Sequence, residues 1–300
     1  MSAETNPYII SADVNRLVRS WATQNKLTIP DEGFFRESLQ ETGRVIGTYF
    51  NSVETISEAE MVAGMKDMAA RSSVPIISLD RAYVDASFPN IVGYLDITRA
   101  VDENLDSSGI KERPDTKPVH EQIKEIVRRL STDRVAVLDD VLFGGDTHTE
   151  VKAWLLEHGI RLEEVLVGVA IQEGVDKLDQ AGISVKSTRL FTSVIDEVCE
   201  RDFVAGVPMS GRTVVTNEGE VFGAPYFLPF GRPEKWASIP AENADAFSDY
   251  CLAQSIMLWE QINTLSETTI PTHAVPKPIF RLKPSSSVVA SLQEVKEKRK

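Results

Sequence analysis

The sequence has few cysteines and histidines and no long hydrophobic run. Among its 300 residues are 2 cysteines and 4 histidines. Cys199 and Cys251 lack CxxC spacing and a nearby histidine cluster, so neither a disulfide framework nor a zinc site is supported. No apolar run approaches the roughly 18–20 residues of a membrane span, and the N-terminus has no basic region followed by an apolar one. These absences predict a cytoplasmic protein with no membrane partner.

Clusters of positive charge are also missing. The chain has 32 Lys and Arg residues against 45 Asp and Glu, a net charge of −13 at pH 7, with acids and bases interspersed. Because phosphate backbones are bound by clustered Lys and Arg, this balance argues against nucleic acid as a partner. Any phosphate ligand must therefore be held by a local site. The hydrophobic content of 42% is typical of a globular protein. The length of 300 residues is enough for one large domain or two small ones.

The sequence divides into four consecutive segments by pattern. They are a helical N-terminal cap (1–42), an α/β core (43–212), a C-terminal extension with one long helix (213–282) and a polar tail (283–300). The cap carries two helical patterns, about 11–25 and 31–41, which we expect to cover the core or to form a homo-oligomer contact.

Strands and helices alternate through the core. RVIGTYF (44–50) is typical of a strand, Ser57 caps a helix, and VPIISLD (74–80) is a second strand, which together predict a βαβ unit. The alternation resumes with a helix at 117–130, the strand VAVLDD and a helix closing on Gly159. Apolar strands joined by helices predict an α/β fold with a parallel sheet.

One excursion interrupts this alternation. Residues 82–116 are rich in turn-forming residues and contain a single strand-like stretch, IVGYLDITR. We predict a mobile loop at 102–115, and the excursion as a whole is the obvious lid for a site at the sheet edge.

The segment 135–147 carries the clearest chemistry. The strand Val135–Leu138 is followed by Asp139 and Asp140 and then by Val-Leu-Phe143-Gly144-Gly145-Asp146-Thr147. Ligands of open α/β sheets bind beyond the carboxyl ends of strands. Glycines let successive backbone N–H groups turn toward an anion, a threonine hydroxyl adds a donor, and the next helix places its positive N-terminus there. The loop therefore predicts a monophosphate cradle.

The two adjacent acids need a reason to lie beside a phosphate. Carboxylates would repel it unless they bind hydroxyl groups or a metal ion. Asp139 and Asp140 suit the 2′- and 3′-hydroxyls of a ribose, directly or through Mg²⁺ and water. The acids and the loop together fit a ribose phosphate.

The run VAVLDDVLFGGDT resembles the signature of the type I phosphoribosyltransferases. The resemblance implies a phosphoribosyltransferase-like core with a C-terminal hood, catalytic and Mg²⁺-binding roles for Asp139 and Asp140, and a 5′-phosphate loop from Phe143 to Thr147. Phe143 and Gly144 depart from the family, which usually has small hydroxyl residues or alanine at those two places.

Further site residues follow from the same resemblance. Arg81, after the second strand, is implied as a contact of a diphosphate, and Phe203 as a ring that stacks on a base. Arg212 is a second candidate for the diphosphate contact, because a planar guanidinium group pairs well with phosphate oxygens. A structural ion pair explains Arg81 equally well, and core packing is the better account of Phe203. His148 borders the loop, and we expect it on the surface.

The implied function is a Mg²⁺-dependent transfer of a phosphoribosyl group between phosphoribosyl pyrophosphate, or a nucleoside monophosphate, and a base-like partner. The segment 50–55, where the family holds pyrophosphate, lacks the family's glycine or basic residue. That absence favours an alternative, a non-catalytic nucleotide-sensing or assembly module. A hydrolase that cleaves nucleotides is a further alternative, because it would use the same pocket.

Overall fold

The computed structural model describes residues 6–283 and 285–299, which form two compact units. Among the described residues, one unit comprises 6–56, 99–109, 195–283 and 285–299. The other comprises residues 57–98 and 110–194. We call them the first and the second unit. The two units interleave along the chain, whereas the segments predicted from the sequence are consecutive.

The secondary structure alternates most regularly in the second unit. The strands are β1 (Tyr8–Ser11), β2 (Val53–Ile56), β3 (Ile76–Ser78), β4 (Ile91–Tyr94), β5 (Ile97–Val101), β6 (Ser107–Glu112), β7 (Arg134–Leu142), β8 (Arg161–Ile171), β9 (Ser184–Phe191), β10 (Asp196–Cys199), β11 (Arg212–Val215) and β12 (Val221–Ala224). The α-helices are α1 (Val14–Asn25), α2 (Glu32–Ile46), α3 (Glu58–Arg71), α4 (Val119–Val127), α5 (Asp146–Glu157), α6 (Gln172–Gln180), α7 (Pro233–Trp236), α8 (Ala244–Leu265) and α9 (Val288–Lys298). Short 3-10 helices span Glu200–Phe203, Ala241–Asn243 and Thr272–Ala274.

The second unit is built on a parallel sheet. Its five strands lie in the order β4-β3-β7-β8-β9, and every neighbouring pair is parallel. The middle of β7, Val135–Leu138, is completely buried. Helix α3 packs on β8 and β9, α4 on β4, α5 on β8 and α6 on β9. The predicted α/β fold with a parallel sheet is confirmed, and the carboxyl ends of all five strands meet at one edge.

The first unit contains two smaller sheets and most of the aromatic core. The order of one sheet is β10-β1-β2, with both pairs parallel, and the order of the other is β12-β11-β5-β6. Strand β11 pairs antiparallel with β12 and parallel with β5. The largest completely buried side chains of this unit are Tyr8, Phe227, Phe230, Phe247 and Trp259.

Several helix ends are where the sequence predicts them. The hydroxyl of Ser57 accepts the backbone N–H of Glu60 at 3.2 Å, so Ser57 caps α3. Helix α5 ends before Gly159, whose φ of +75° closes the turn. The long helix of the extension is α8. Among the described residues, no helix is both long and apolar enough to cross a membrane.

The predicted strand at 44–50 is wrong. Helix α2 continues to Ile46 and is followed by a turn. Phe35, Thr42 and Ile46 are buried on α2 at helical spacing, so burial outweighs the strand preference of Val45 and Ile46. The βαβ unit therefore lacks its first strand, because β2 pairs with β1 in the first unit instead.

The excursion is more regular than the sequence suggests. The stretch IVGYLDITR is two strands, β4 and β5, in different sheets, and the predicted loop at 102–115 contains β6. The carboxylate of Asp102 accepts the N–H groups of Asn104 and Asp106 at 2.9 Å, and the N–H of Asp102 donates to the carbonyl of Asp106. This local turn chemistry forms a hairpin where composition alone predicts a loop.

Candidate functional site

The candidate site follows β7 at the carboxyl edge of the parallel sheet. Strand β7 extends to Leu142, so Asp139 and Asp140 lie within the strand rather than after it. The connection to α5 consists of Phe143, Gly144 and Gly145. Gly145 has a φ of +80°, a conformation that glycine adopts without strain. This short turn brings the start of α5 directly to the sheet edge.

The start of α5 has the features of an anion site. No side chain caps the helix, so the N–H groups of its first turn are not taken up by a capping residue. A side-chain carbon added at Gly144 would meet no atom within 4 Å, which shows open space beside the loop. Asp146 is exposed, and Thr147 is half-buried. Uncapped N–H groups, the helix dipole and the hydroxyl of Thr147 suit a phosphate group.

Asp139 is paired with a histidine. The Nε2 atom of His148, a side chain only 2% exposed, lies 3.2 Å from Oδ2 of Asp139, although its direction is poor for a hydrogen bond. The other oxygen of Asp139 accepts the backbone N–H of Asp140 at 3.0 Å. Burial raises the pKa of Asp139, while His148 lowers it and Asp140 raises it further. The expectation that His148 lies on the surface is wrong, because α5 turns it inward.

Asp140 lies on the other face of the strand from Asp139, since successive side chains of a strand alternate. It is half-buried. Gly168 of β8 runs alongside its backbone, and a side-chain carbon there would lie 2.9 Å from the carbonyl oxygen of Asp140. The two acids therefore lie in different surroundings, although they are adjacent in sequence.

Helix α6 contributes two residues that the sequence analysis missed. A side-chain carbon at Gly174 would lie 2.2 Å from the carbonyl oxygen of Phe143, so α6 approaches the loop as closely as glycine allows. The stem of Lys177 lies beside Gly145, and its ammonium group forms an ion pair with Asp146. An isolated glycine in a helical pattern was the available signal at 174, because it marks close backbone approach.

Arg81 makes structural contacts. Its Nε and Nη2 atoms each donate to Asp96 at 2.7 Å, and the guanidinium group lies 3.7 Å from the ring centre of Tyr94. These residues border a cavity of about 350 Å³ that is completed by the segment 115–117 and by α4. None of the residues from Asp139 to Thr147 lines this cavity. The ion pair expected as an alternative role of Arg81 is present. A contact between Arg81 and a diphosphate stays a prediction.

Phe203 and Arg212 belong to the first unit. The ring of Phe203 is 2% exposed and packs edge to face against Phe247 at 5.1 Å, which is the core packing favoured over base stacking. The guanidinium group of Arg212 lies 4.8 Å from the ring centre of Trp236, and its Nε atom is buried without a hydrogen-bond partner. Burial raises the pKa of the neighbouring Tyr226 to about 12. Roles of Phe203 and Arg212 in ligand binding stay predictions.

The pair of Asp139 and His148 yields a testable expectation. His148→Leu removes the neighbour that lowers the pKa of Asp139, so the free energy of unfolding should fall by about 1–3 kcal/mol at pH 8. Because the folded pKa of Asp139 is raised, the deficit should shrink as the carboxyl becomes protonated at lower pH. Urea unfolding at pH 5 and pH 8 measures this, and adding Asp139→Asn should remove the pH dependence of the deficit. An equal deficit at both pH values would contradict the pairing.

The side chains that could bind a metal ion are few at this site. Within residues 6–283 and 285–299, no group of three or more His, Cys, Asp or Glu side chains is arranged to hold one. Mg²⁺ often binds through one or two carboxylates together with phosphate oxygens of a ligand. Asp140 is a carboxylate next to the loop and suits that mode, and Asp139 contacts His148.

Comparison with solved structures finds partial overlaps. An orotate phosphoribosyltransferase from Aeropyrum pernix is 19% identical, with a TM-score of 0.28 over 44% of this chain and 68% of that chain. The UMP synthase of Leishmania donovani is 15% identical, with a TM-score of 0.29 over 45% of this chain and 27% of that chain. An adenine phosphoribosyltransferase from Thermoanaerobacter pseudethanolicus is 16% identical, with a TM-score of 0.27 over 42% and 78%.

These overlaps leave more than half of this chain uncovered and do not carry the activity of those proteins over to it. No protein-family model and no curated protein sequence matches the chain. The site must therefore be judged on its own residues.

Proposed function

We propose that this protein binds a phosphoribosyl ligand, phosphoribosyl pyrophosphate or a nucleoside monophosphate, after β7 and transfers its phosphoribosyl group to or from a nitrogenous base. The observation that carries the proposal is the turn Phe143–Gly145, which joins a diacid strand to a helix that no side chain caps. A ribose phosphate uses both parts of this site, an anion cradle on the turn and a carboxylate on the strand that binds its hydroxyl groups.

The chemistry asked of these residues is mainly positioning. The transition state of phosphoribosyl transfer has the character of a ribose cation, so the ribose must be held and water excluded. In this proposal Asp140 binds a ribose hydroxyl, the loop and α5 hold the 5′-phosphate, and Asp139 supports the strand through His148. Mg²⁺, held by Asp140 and the ligand's own oxygens, would supply charge neutralisation of a diphosphate.

A second candidate is a non-catalytic nucleotide sensor. The contacts of Arg81 favour it, because both the edge and one face of this guanidinium group are already used by Asp96 and Tyr94. A site without a cation for the diphosphate would retain monophosphates better than phosphoribosyl pyrophosphate.

The deciding measurement is calorimetric titration with phosphoribosyl pyrophosphate and with nucleoside monophosphates, each with and without Mg²⁺. Asp140→Asn should weaken binding about tenfold or more, because it removes a charge-assisted hydrogen bond to the ribose. Asp133→Asn is the matched control, since Asp133 is exposed and pairs with Arg161 at the other end of β7.

The outcomes separate the candidates. Mg²⁺-dependent binding of the diphosphate supports a transferase, and binding of monophosphates alone supports the sensor. If the wild-type protein binds neither ligand, or if Asp140→Asn binds as well as Asp133→Asn, the proposed site is refuted.

A further inference from the structure

The rim of the loop carries an ion pair between two elements that are distant in sequence. The ammonium group of Lys177, on α6, contacts Oδ1 of Asp146, the first residue of α5. Both side chains reach solvent, at 44% exposure for Lys177 and 90% for Asp146. The pair lies where the N–H groups of α5 emerge without a capping side chain.

Asp146 is unusual at an anion site. A carboxylate in the first turn of a helix interacts favourably with the helix dipole, but it repels a phosphate that binds to the same N–H groups. The contact with Lys177 offsets this charge. An ion pair between two exposed side chains contributes little to stability, so stability alone is a weak reason for the arrangement.

We propose that Lys177 is the cation that binds a phosphate at this loop, and that Asp146 holds its ammonium group when no ligand is bound and competes with the phosphate for it. This inference rests on the proposed phosphoribosyl ligand and names the residue that makes the site select for its 5′-phosphate. Asp146 thereby lowers the affinity of the site for phosphate, whereas the loop pattern alone implies that every residue of the loop helps to bind it.

The geometry allows this exchange without movement of the backbone. The stem of Lys177 lies against the loop, with its Cδ atom 3.4 Å from the place of a side-chain carbon on Gly145. Close packing at Gly174, one helical turn earlier, fixes α6 at this distance. Rotation about the side-chain bonds of a lysine moves its ammonium group by several ångströms, and its three N–H donors suit phosphate oxygens as well as a carboxylate.

The two partners should respond in opposite directions to substitution. Lys177→Met should weaken binding of ribose 5-phosphate about tenfold, because a charge-assisted contact is lost. Asp146→Asn should tighten it about threefold, because a repulsive charge is removed and the ammonium group is released. Ribose without phosphate should bind both variants and the wild-type protein equally. Titration calorimetry or ligand-observed NMR at fixed salt measures these affinities.

The control is a second lysine of the same unit that is about as exposed as Lys177 and also forms an ion pair. Lys186 contacts Glu164 at 2.6 Å and is 47% exposed. Lys186→Met removes the same charge from the protein and should change the affinity for ribose 5-phosphate by less than about twofold, as expected of a distant screened charge.

Each outcome decides the inference. If Lys177→Met and Lys186→Met bind ribose 5-phosphate equally, or if Asp146→Asn weakens binding as much as Lys177→Met does, the ion pair is structural and the inference fails while the proposed site stands. If the wild-type protein binds no ribose 5-phosphate, both the site and the inference fail. Weakening in Lys177→Met together with tightening in Asp146→Asn supports the exchange.

Discussion

Gly174→Ala is expected to lower the free energy of unfolding by about 3 kcal/mol and to weaken binding of any anion at the loop. The new methyl group would lie 2.2 Å from the carbonyl oxygen of Phe143 and 2.9 Å from Cγ of Leu142. The first of these atoms belongs to the backbone, so a rotamer change cannot relieve the overlap. Either α6 or the loop must therefore move. Because both elements form the proposed anion site, its geometry should change as well.

Gly144→Ala provides the matched control in the same loop. Its methyl group would meet no atom within 4 Å, so stability should change by less than about 1 kcal/mol. Thermal or urea unfolding of the two variants side by side measures the difference. Equal stabilities would show that α6 does not approach the loop as described.

Arg201→Met should be the most destabilising change in the first unit, by about 3–5 kcal/mol at pH 8. Asp13 is 1% exposed, and its two oxygens accept hydrogen bonds from the backbone and the guanidinium group of Arg201. Burial raises the pKa of Asp13 to about 7, even though Arg201 lowers it. Without Arg201, the buried carboxylate of Asp13 would lose its guanidinium partner.

The sign of the pH dependence follows from the raised pKa. A carboxyl group with a higher pKa in the folded state stabilises the fold below its unfolded pKa of about 4, and this contribution is lost as pH rises through about 7. The deficit of Arg201→Met should therefore be smaller at pH 5 than at pH 8, and adding Asp13→Asn should recover most of it. Arg161→Met, which removes an exposed partner of Asp133, serves as control and should show no such dependence. A deficit independent of pH would rule out Asp13 as its cause.

The parallel sheet could be predicted because its signals are local. The run Val135–Leu138 is apolar without alternation, and Ser57 and Gly159 mark helix ends by their own chemistry. The strand predicted at 44–50 failed for the opposite reason. Val45 and Ile46 favour strands, but the partners that bury α2 lie elsewhere in the chain, and a local pattern does not contain them.

The site divides in the same way. The loop from Phe143 to Gly145 is continuous in sequence, so its glycines and the helix that follows could be recognised together. Lys177 contacts Asp146 although it lies 31 residues later in the chain, so no local pattern could reveal this contact. His148 was misjudged because its burial depends on how α5 packs. An ion pair of Arg81 was foreseen, but its partner Asp96 could not be named because it follows a different strand.

The order of the strands in the first unit bears on how the chain is made. Strand β1 lies in the middle of its sheet, between β2 and β10, and Tyr8 pairs with Asp196. During synthesis on a ribosome, residues 57–98 and 110–194 emerge before β10 does. The parallel sheet of the second unit is therefore complete in the nascent chain while one edge of β1 still waits for its partner. We expect the middle of the chain to fold first and the N-terminal strand β1 to be among the last elements to complete its pairing.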